Sequence, residues 1–268
     1  MLSFLYKTAL GRILLKPLIA PWFSNMMGVI LSSDFSKTFI KPFIRKNSID
    51  IRECEKAHFS SFNDFFSRKL RSDAREIDSG EKSLISPCDG FLTCLPVRED
   101  SRFFIKDTSY SVSELLNDEI LAQNYTGGYA LIFRLTVRNY HRYIFAESGI
   151  KGGQVKIPGI YHTVQPIAND YFPVYKQNTR EYCIIDTDRF GKIVQMEVGA
   201  LMVGKIVNHE VSNPVRRGQE KGYFQFGGST IILLIKKGKL FPDKGILEAS
   251  EKNIETSVKM GEKVGDGV

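Results

Sequence analysis

The chain has 268 residues, of which 43% are hydrophobic and 25% are charged, and its formal net charge at pH 7 is +7. This composition is typical of a globular protein with a full core and argues against a disordered chain. No period of 20–50 residues repeats, so a solenoid or a propeller is not indicated. A basic surface attracts the phosphates of nucleic acid or of anionic lipid, although ordinary soluble proteins are often equally basic.

The N-terminal segment combines apolar residues at near-helical spacing with a few lysines and arginines. No charge occurs from Pro17 to Ser33, but prolines interrupt this stretch, and no convincing signal-peptide cleavage site follows it. A basic segment that carries Trp and Phe can lie in a membrane interface, and it can also pack its apolar face on the core. The next segment, FSKTFIKPFIRK, has the same composition and favours the membrane surface. We therefore predict that residues 1–58 form a helical, membrane-associating region.

The next part of the chain, residues 59–77, has the pattern of one helix. Its apolar face would hold three phenylalanines and Leu70, and Asp64 would pair with Arg68 one turn later.

After the SPCDG run at 86–90, short apolar or alternating runs stand between turn signals. This pattern is typical of strands, with one helix predicted at residues 111–118. The fold class is therefore α+β, with N-terminal helices followed by a β-rich, sandwich-like or barrel-like catalytic domain at residues 59–268.

Cysteine spacing predicts neither a disulfide framework nor a zinc site, because the four cysteines form no C-x-x-C pair. A reducing compartment fits this pattern best. Glu55 and His58 have the spacing of a helical metal-ligand pair, but a single such pair is more typical of a surface helix. We predict no metal.

The run YFQFGGSTIILLI, residues 223–235, has the pattern of one β-strand with two glycines at its centre. Glycine weakens a strand and marks a bulge or a close backbone approach. Ser229 is not a nucleophile elbow, because Ile231 stands where G-x-S-x-G needs glycine. His141, His162 and Asp89 are candidates for proton transfer, but taken singly each is more often structural.

Six motifs occur together and in order: FNDFFSRKLR, SPCDG, YHRY, MEVGALMVGKI, KGYFQFGGSTIILL and ETSVKMGEKVG. With these motifs in this order, the chain resembles the phosphatidylserine decarboxylases from about residue 59 to residue 265. The resemblance is to the bacterial branch with short α chains in particular. The resemblance implies self-cleavage between Gly228 and Ser229. The products would be a β chain of residues 1–228 and an α chain of residues 229–268, which stay associated.

The implied chemistry explains the residue types of this motif. The Ser229 hydroxyl would attack the Gly228 carbonyl, while Gly227 permits the backbone bend and Thr230 helps to support the oxyanion. Elimination and hydration would leave Ser229 as a covalent pyruvoyl group. In the family this group forms a Schiff base with phosphatidylserine, which loses CO2 and becomes phosphatidylethanolamine. No external cofactor is implied.

The family's self-cleavage relay of Asp, His and Ser is matched here only in part. Asp89 and Ser229 match, and His141 matches the first histidine of the family's Tyr-His-Arg-x-His run, but Ile144 occupies the position of the second. His141 could serve both cleavage and later protonation, or His162 could act as an auxiliary base. Alternatively, the protein is a processing-deficient homologue that binds anionic lipid without catalysis.

The resemblance also suggests partners and a location. The substrate would be phosphatidylserine in an anionic membrane, and we expect a peripheral protein on the cytoplasmic face of the cell membrane. The family often forms homodimers. A serine hydrolase is disfavoured because Ser229 lies in mid-strand without an elbow, and no basic patch with interleaved aromatics indicates nucleic acid.

Overall fold

The structure is a computed structural model that describes residues 2–105, 108–163, 168, 171–172, 174–200, 205–226 and 229–268. The helices in these ranges are α1 (Leu2–Lys7), α2 (Ala9–Leu18), α3 (Pro21–Ser32), a 3-10 helix (Asp34–Phe39), α4 (Ile40–Asn47), α5 (Phe62–Phe66), α6 (Val112–Leu116), α7 (Glu119–Gln123), α8 (Val174–Gln177) and α9 (Lys244–Glu251).

The N-terminal helices are separated by residues that favour helix starts. The Thr8 side chain accepts a hydrogen bond from the Gly11 N–H at the start of α2, and Pro21 stands at the first position of α3, where its missing N–H is not needed. Among the described residues, no single helix has both the length and the apolar character of a membrane span. Helices α2 and α3, bent by 61° at their junction, pass that test only as a pair, by length and composition.

Sixteen strands are described, and their pairing is antiparallel throughout. They are β1 (Ser83–Ile85), β2 (Gly90–Pro96), β3 (Arg102–Ile105), β4 (Thr108–Ser111), β5 (Tyr129–Leu135), β6 (Arg142–Ile144), β7 (Ile150–Lys151), β8 (Val155–Ile157), β9 (Arg180–Thr187), β10 (Gly191–Val198), β11 (Ile206–Asn208), β12 (Glu220–Phe224), β13 (Ser229–Ile235), β14 (Leu240–Pro242), β15 (Thr256–Val258) and β16 (Lys263–Gly267).

The largest sheet has the strand order β15-β2-β5-β13-β10-β9-β7, with β8 also paired to β9. Two three-stranded sheets, β11-β12-β6 and β1-β16-β14, and the hairpin β3-β4 complete the β structure. The described strands form no closed barrel. The fold class predicted from the sequence, α+β with N-terminal helices before a β-rich part, is confirmed.

Strand β13 lies at the centre of the largest sheet, between β5 and β10, and all seven of its residues are buried. Its side chains alternate between two hydrophobic clusters. Ile232 packs in the cluster that includes Tyr6 of α1 and Leu15 of α2, whereas Ile231 packs in the cluster that includes Phe224 of β12. One face of this sheet is covered mainly by helices and the other mainly by the two three-stranded sheets and α9. Because both faces are covered, β13 has a continuous apolar sequence.

Two predictions about local structure are wrong. The helix expected over residues 59–77 is only α5, and Asp64 bonds to Lys56 and Ser60 instead of Arg68. The single strand expected over residues 223–235 is two strands in different sheets, since β12 ends at Phe224 and β13 begins at Ser229. In both places, packing against distant parts of the chain decides the ends of the element.

Candidate active site

Ser229 is the first residue of β13, where its backbone pairs with Leu135 of β5. It has no exposed surface, and its Oγ has no hydrogen-bond partner among the described residues. The neighbouring Thr230 is also fully buried, and its Oγ1 likewise has no partner within the described ranges. Buried polar atoms are normally hydrogen-bonded, so two consecutive exceptions mark this strand end as a place with a purpose other than stability. Gly227 and Gly228 lie outside the described residues.

His141 immediately precedes β6, and its ring is fully buried. Its Nδ1 lies 2.9 Å from the backbone oxygen of Asn139. Because a carbonyl oxygen only accepts hydrogen bonds, Nδ1 carries the proton, and the neutral ring has its lone pair on Nε2. The Nε2 atom is buried and has no partner. Burial, followed by the charge of Arg68, lowers the pKa of His141 to about 3, so the ring is neutral and free to accept a proton at Nε2.

An aromatic cluster connects His141 to the segment that precedes Ser229. The ring centroids of His141 and Phe66 are 4.0 Å apart, and Phe66 contacts Phe226 edge-on at 5.0 Å. Phe226 also contacts Phe62 at 4.9 Å. Helix α5 thus holds both the histidine ring and the chain three residues before Ser229, which explains why the FNDFF run is part of the site.

Asp89 lies in the turn before β2, where the next residue has to be glycine. A Cβ on Gly90 would lie 2.9 Å from the carbonyl oxygen of Arg134. The Asp89 carboxylate accepts two hydrogen bonds from Arg75, at 2.9 and 2.7 Å, and one from the Met260 N–H at 2.9 Å. These bonds hold the carboxylate in place. Within the described residues, no hydrogen bond joins Asp89 to His141 or to Ser229.

Comparison with known proteins agrees with this arrangement. A family model described as phosphatidylserine decarboxylase matches residues 62–266. Phosphatidylserine decarboxylase proenzyme 2 of Clostridium acetobutylicum is 46% identical over 99% of this chain and 91% of its own length. The phosphatidylserine decarboxylase proenzymes of Ruminiclostridium cellulolyticum and Fusobacterium nucleatum are 42% and 39% identical, again over 99% of this chain and 91% and 90% of theirs. The chain belongs to the phosphatidylserine decarboxylase family.

The resemblance inferred from the motifs is thereby confirmed, and with it the classification as an enzyme of the decarboxylase type. The roles predicted for Ser229, Asp89, His141 and Thr230 stay predictions, as do those of Gly227 and Gly228.

Ile144, where the sequence suggests a missing family histidine, is buried and tied to the SPCDG turn. Its N–H donates to the Pro87 carbonyl at 2.9 Å, and its carbonyl accepts from Gln195 Nε2 at 2.9 Å. The backbone at position 144 therefore lies beside the turn that carries Asp89. An isoleucine side chain there supplies packing and no proton transfer.

His162, the predicted auxiliary base, lies in a second aromatic cluster against α1. Its Nδ1 is 3.2 Å from the Tyr6 hydroxyl, its ring stacks on Phe172 at 4.5 Å, and its N–H donates to Asn178. Burial lowers its pKa to about 4. It lies in a segment without regular secondary structure. None of the contacts described for His162 involves Ser229 or His141, and its contacts are those of a packing histidine.

Near the candidate site, the structure also has charged residues that were not predicted as site residues from the sequence. Lys221 and Glu197 form a fully buried ion pair at 2.6 Å, supported by Asn208. Glu197 pairs across the sheet with Ile231, so it shares the sheet face of Ser229. Arg68 is buried beside His141 and Asp89. The signal for the ion pair was present in the sequence, since each charge interrupts a strand pattern.

Proposed function

We propose that this chain cleaves itself between Gly228 and Ser229 and then decarboxylates phosphatidylserine to phosphatidylethanolamine and CO2. The observation that carries the proposal is the pair of buried, partnerless atoms, Ser229 Oγ and His141 Nε2, within the family's motifs. A hydroxyl and a neutral imidazole that are both buried and unbonded match the requirements of a nucleophile and its base. The names of the relatives, which are proenzymes, support a processed protein.

In the cleavage step, Ser229 Oγ attacks the carbonyl carbon of Gly228 and gives its proton to His141 Nε2. The C–N bond breaks, the proton passes to the nitrogen of residue 229, and an ester replaces the amide. Loss of the Cα proton of residue 229 then expels the Gly228 carboxylate and leaves a dehydroalanine. Addition of water releases ammonia and gives the pyruvoyl group. Because burial lowers the pKa of His141, the ring is neutral before the reaction, and its Nε2 lone pair is available to the Ser229 proton.

The covalent group fits the residues around it, since the Ser229 side chain is already buried at the start of a central strand and its Oγ has no hydrogen-bond partner among the described residues. The pyruvoyl group would supply a carbonyl that condenses with the substrate amine and accepts the electrons released with CO2. His141 Nε2 would return a proton after CO2 leaves. The aromatic cluster of Phe66 and Phe226 excludes water from this ring.

We further propose that the N-terminal helices lie on the cytoplasmic face of the cell membrane. Several of their large apolar side chains are more than half exposed: Leu10, Ile13, Trp22, Val29 and Phe35. Lysines stand among them, at positions 7, 16 and 37. Exposed aliphatic and aromatic residues beside lysines are typical of helices that bind an anionic lipid surface, where the substrate is found.

Intact mass of the denatured protein tests the proposed maturation. The wild-type chain should give fragments of residues 1–228 and 229–268, the smaller with a pyruvoyl N-terminus, whereas Ser229→Ala should stay whole. Thr179→Ala, which removes the hydroxyl of a half-buried residue outside the motif, serves as the control and should be cleaved normally. A wild-type chain that stays whole would contradict the proposal and favour the non-catalytic lipid-binding alternative.

A further inference from the structure

A pocket of about 320 Å³ lies beside the candidate site. Its wall includes Thr136, which follows the Leu135 that pairs with Ser229, and it includes the ion pair of Asp89 with Arg75. Arg68 lines the same pocket, as does Arg138 at its exposed side. The pocket therefore begins at the strand end where the cleavage motif lies.

Arg68 is the unusual member of this wall. The residue is only 4% exposed, and both Nε and Nη1 are buried without a hydrogen-bond partner. Its guanidinium lies over the ring of Phe65 at 5.2 Å and beside the thiol of Cys54. Within the described part of the chain, no carboxylate lies at ion-pair distance from it.

A buried cation without a partner destabilises the fold, so its presence calls for an anion that is not part of the chain. The carboxylates around the pocket do not supply one, because each already has an arginine. Asp89 and Glu53 bond to Arg75, and Asp50 bonds to Arg52. The pocket thus has in its wall a buried guanidinium that contacts the Cys54 thiol and has two nitrogens, Nε and Nη1, without a described hydrogen-bond partner.

Arg68 is also close to the reacting groups. It follows α5, whose Phe66 packs on the His141 ring, and its positive charge is one of the causes that lower the pKa of His141. An anion bound at Arg68 would therefore lie next to the catalytic histidine. A headgroup bound there could be held at Arg68 by one part while its amine end reacts.

We propose that Arg68 binds the phosphodiester of the substrate headgroup in this pocket, an inference that rests on the proposed function. The substrate has two anionic groups, its phosphodiester and its carboxylate. An arginine paired with the carboxylate would stabilise the group that has to lose its charge as CO2, and so oppose the reaction. A phosphodiester keeps its charge throughout, and two of its oxygens match the fork of a guanidinium.

The test compares mature wild-type protein with Arg68→Met, which keeps the packing on Phe65 and removes the charge. Binding of sn-glycero-3-phosphoethanolamine, which has the phosphodiester and no carboxylate, should weaken about 10- to 100-fold by calorimetry. Binding of 3-hydroxypropionate, which has only the carboxylate, should be unchanged. Arg71→Gln, at an exposed arginine outside the pocket, is the matched control and should behave as wild type.

Stability and kinetics separate this role from a structural one. Because no carboxylate of the described residues forms an ion pair with Arg68, Arg68→Met should melt at the wild-type temperature or higher, and its KM for phosphatidylserine should rise more than its kcat falls. A lower melting temperature, failure to fold, or unchanged phosphodiester binding would each overturn the proposal. Loss of 3-hydroxypropionate binding alone would instead assign Arg68 to the carboxylate. A wild-type chain that stays uncleaved would refute the proposed function, while the binding comparison would still report on the pocket.

Discussion

Lys221 and Arg68 are both buried cations, but their surroundings differ. Lys221 donates to Glu197 at 2.6 Å and to Asn208 at 2.7 Å, whereas two nitrogens of Arg68 have no partner. Among the residues that the structure describes, nine buried side-chain nitrogen and oxygen atoms lack a hydrogen-bond partner, and five belong to Ser229, Thr230, His141 and Arg68. Incomplete hydrogen bonding is thus concentrated around the GGST motif. In the neighbouring ion pair, Lys221 Nζ and Glu197 Oε2 bond to each other and to Asn208, and only Glu197 Oε1 lacks a described partner.

The largest expected effect is on stability and comes from breaking the Lys221–Glu197 ion pair. Lys221→Met alone should lower the free energy of unfolding by about 3–5 kcal/mol, because it leaves the buried Glu197 without a counter-charge. The double variant Lys221→Met with Glu197→Leu should recover most of that loss. Urea denaturation on the uncleaved Ser229→Ala background measures both, since unfolding then involves a single chain. A single variant as stable as its parent would show that the pair is not structural.

The second prediction concerns the two buried histidines. His141→Ala should slow the appearance of the two fragments about 100-fold or more, as expected when a general base is lost. His162→Ala, which removes an equally buried ring that packs against Tyr6, should change the cleavage rate much less. A time course of cleavage on denaturing gels after synthesis gives both rates. The opposite order of effects would assign the base to His162.

The third prediction is a dependence of stability on pH. The pKa values of His141 and His162 are lowered by burial to about 3 and about 4, from an ordinary 6.5. Below pH 6.5 both histidines bind protons in the unfolded chain but stay neutral in the folded chain. The free energy of unfolding is therefore highest above pH 6.5 and falls as the pH decreases towards 4. Each histidine contributes a slope of up to about 1.4 kcal/mol per pH unit.

Urea midpoints between pH 7.5 and pH 4.5, again on the Ser229→Ala background, measure this slope. His162→Gln should reduce it by the share of one histidine. Because His141 stays neutral across this range, the cleavage rate of the wild-type chain should show no inflection near pH 6.5. An inflection there would mean that the ring titrates normally and is not buried as described.

The smallest expected effect on stability lies at the exposed end of the molecule. Ile13→Ser with Val29→Ser changes two side chains of the N-terminal helices that are 62% and 75% exposed, and the free energy of unfolding should change by less than about 0.5 kcal/mol for each. Flotation with phosphatidylserine-containing vesicles should nevertheless decrease. Ile120→Ser, at an 81% exposed position on α7, is the matched control and should float as wild type. Equal flotation of all three proteins would refute the membrane-binding surface.

Much of the fold could be predicted from the sequence, because local patterns were sufficient where an element is periodic. The helix at 111–118 and the strands after SPCDG are present, with α6 at Val112–Leu116 and β5 at Tyr129–Leu135. The run 223–235 was misread as one strand, because periodicity cannot show that Phe224 and Ser229 pair with different sheets. The helix over 59–77 was overextended, because the chain turns after α5 to bury Arg68.

The sequence predicted only those site residues that lie in the family motifs. Ser229, His141 and Asp89 were named from the family resemblance, and the structure adds their hydrogen bonds or the lack of them. Arg68 was interpreted as a surface partner of Asp64, since i,i+4 spacing says nothing about which side of a helix is buried. Whether a charge has a partner depends on residues distant in sequence, as with Lys221 and Glu197, and cannot be seen in local spacing.

The position of β13 between β5 and β10 has a consequence for the order of folding and cleavage. Once the bond before Ser229 is cut, the 40 residues from 229 to 268 include the middle strand of the largest sheet, so the fragment cannot leave without dismantling that sheet. After complete denaturation, the two pieces would have to find each other by diffusion, and recovery would depend on concentration. The intact chain folds without that encounter, so synthesis as one chain ensures that the central strand is in place before the cut.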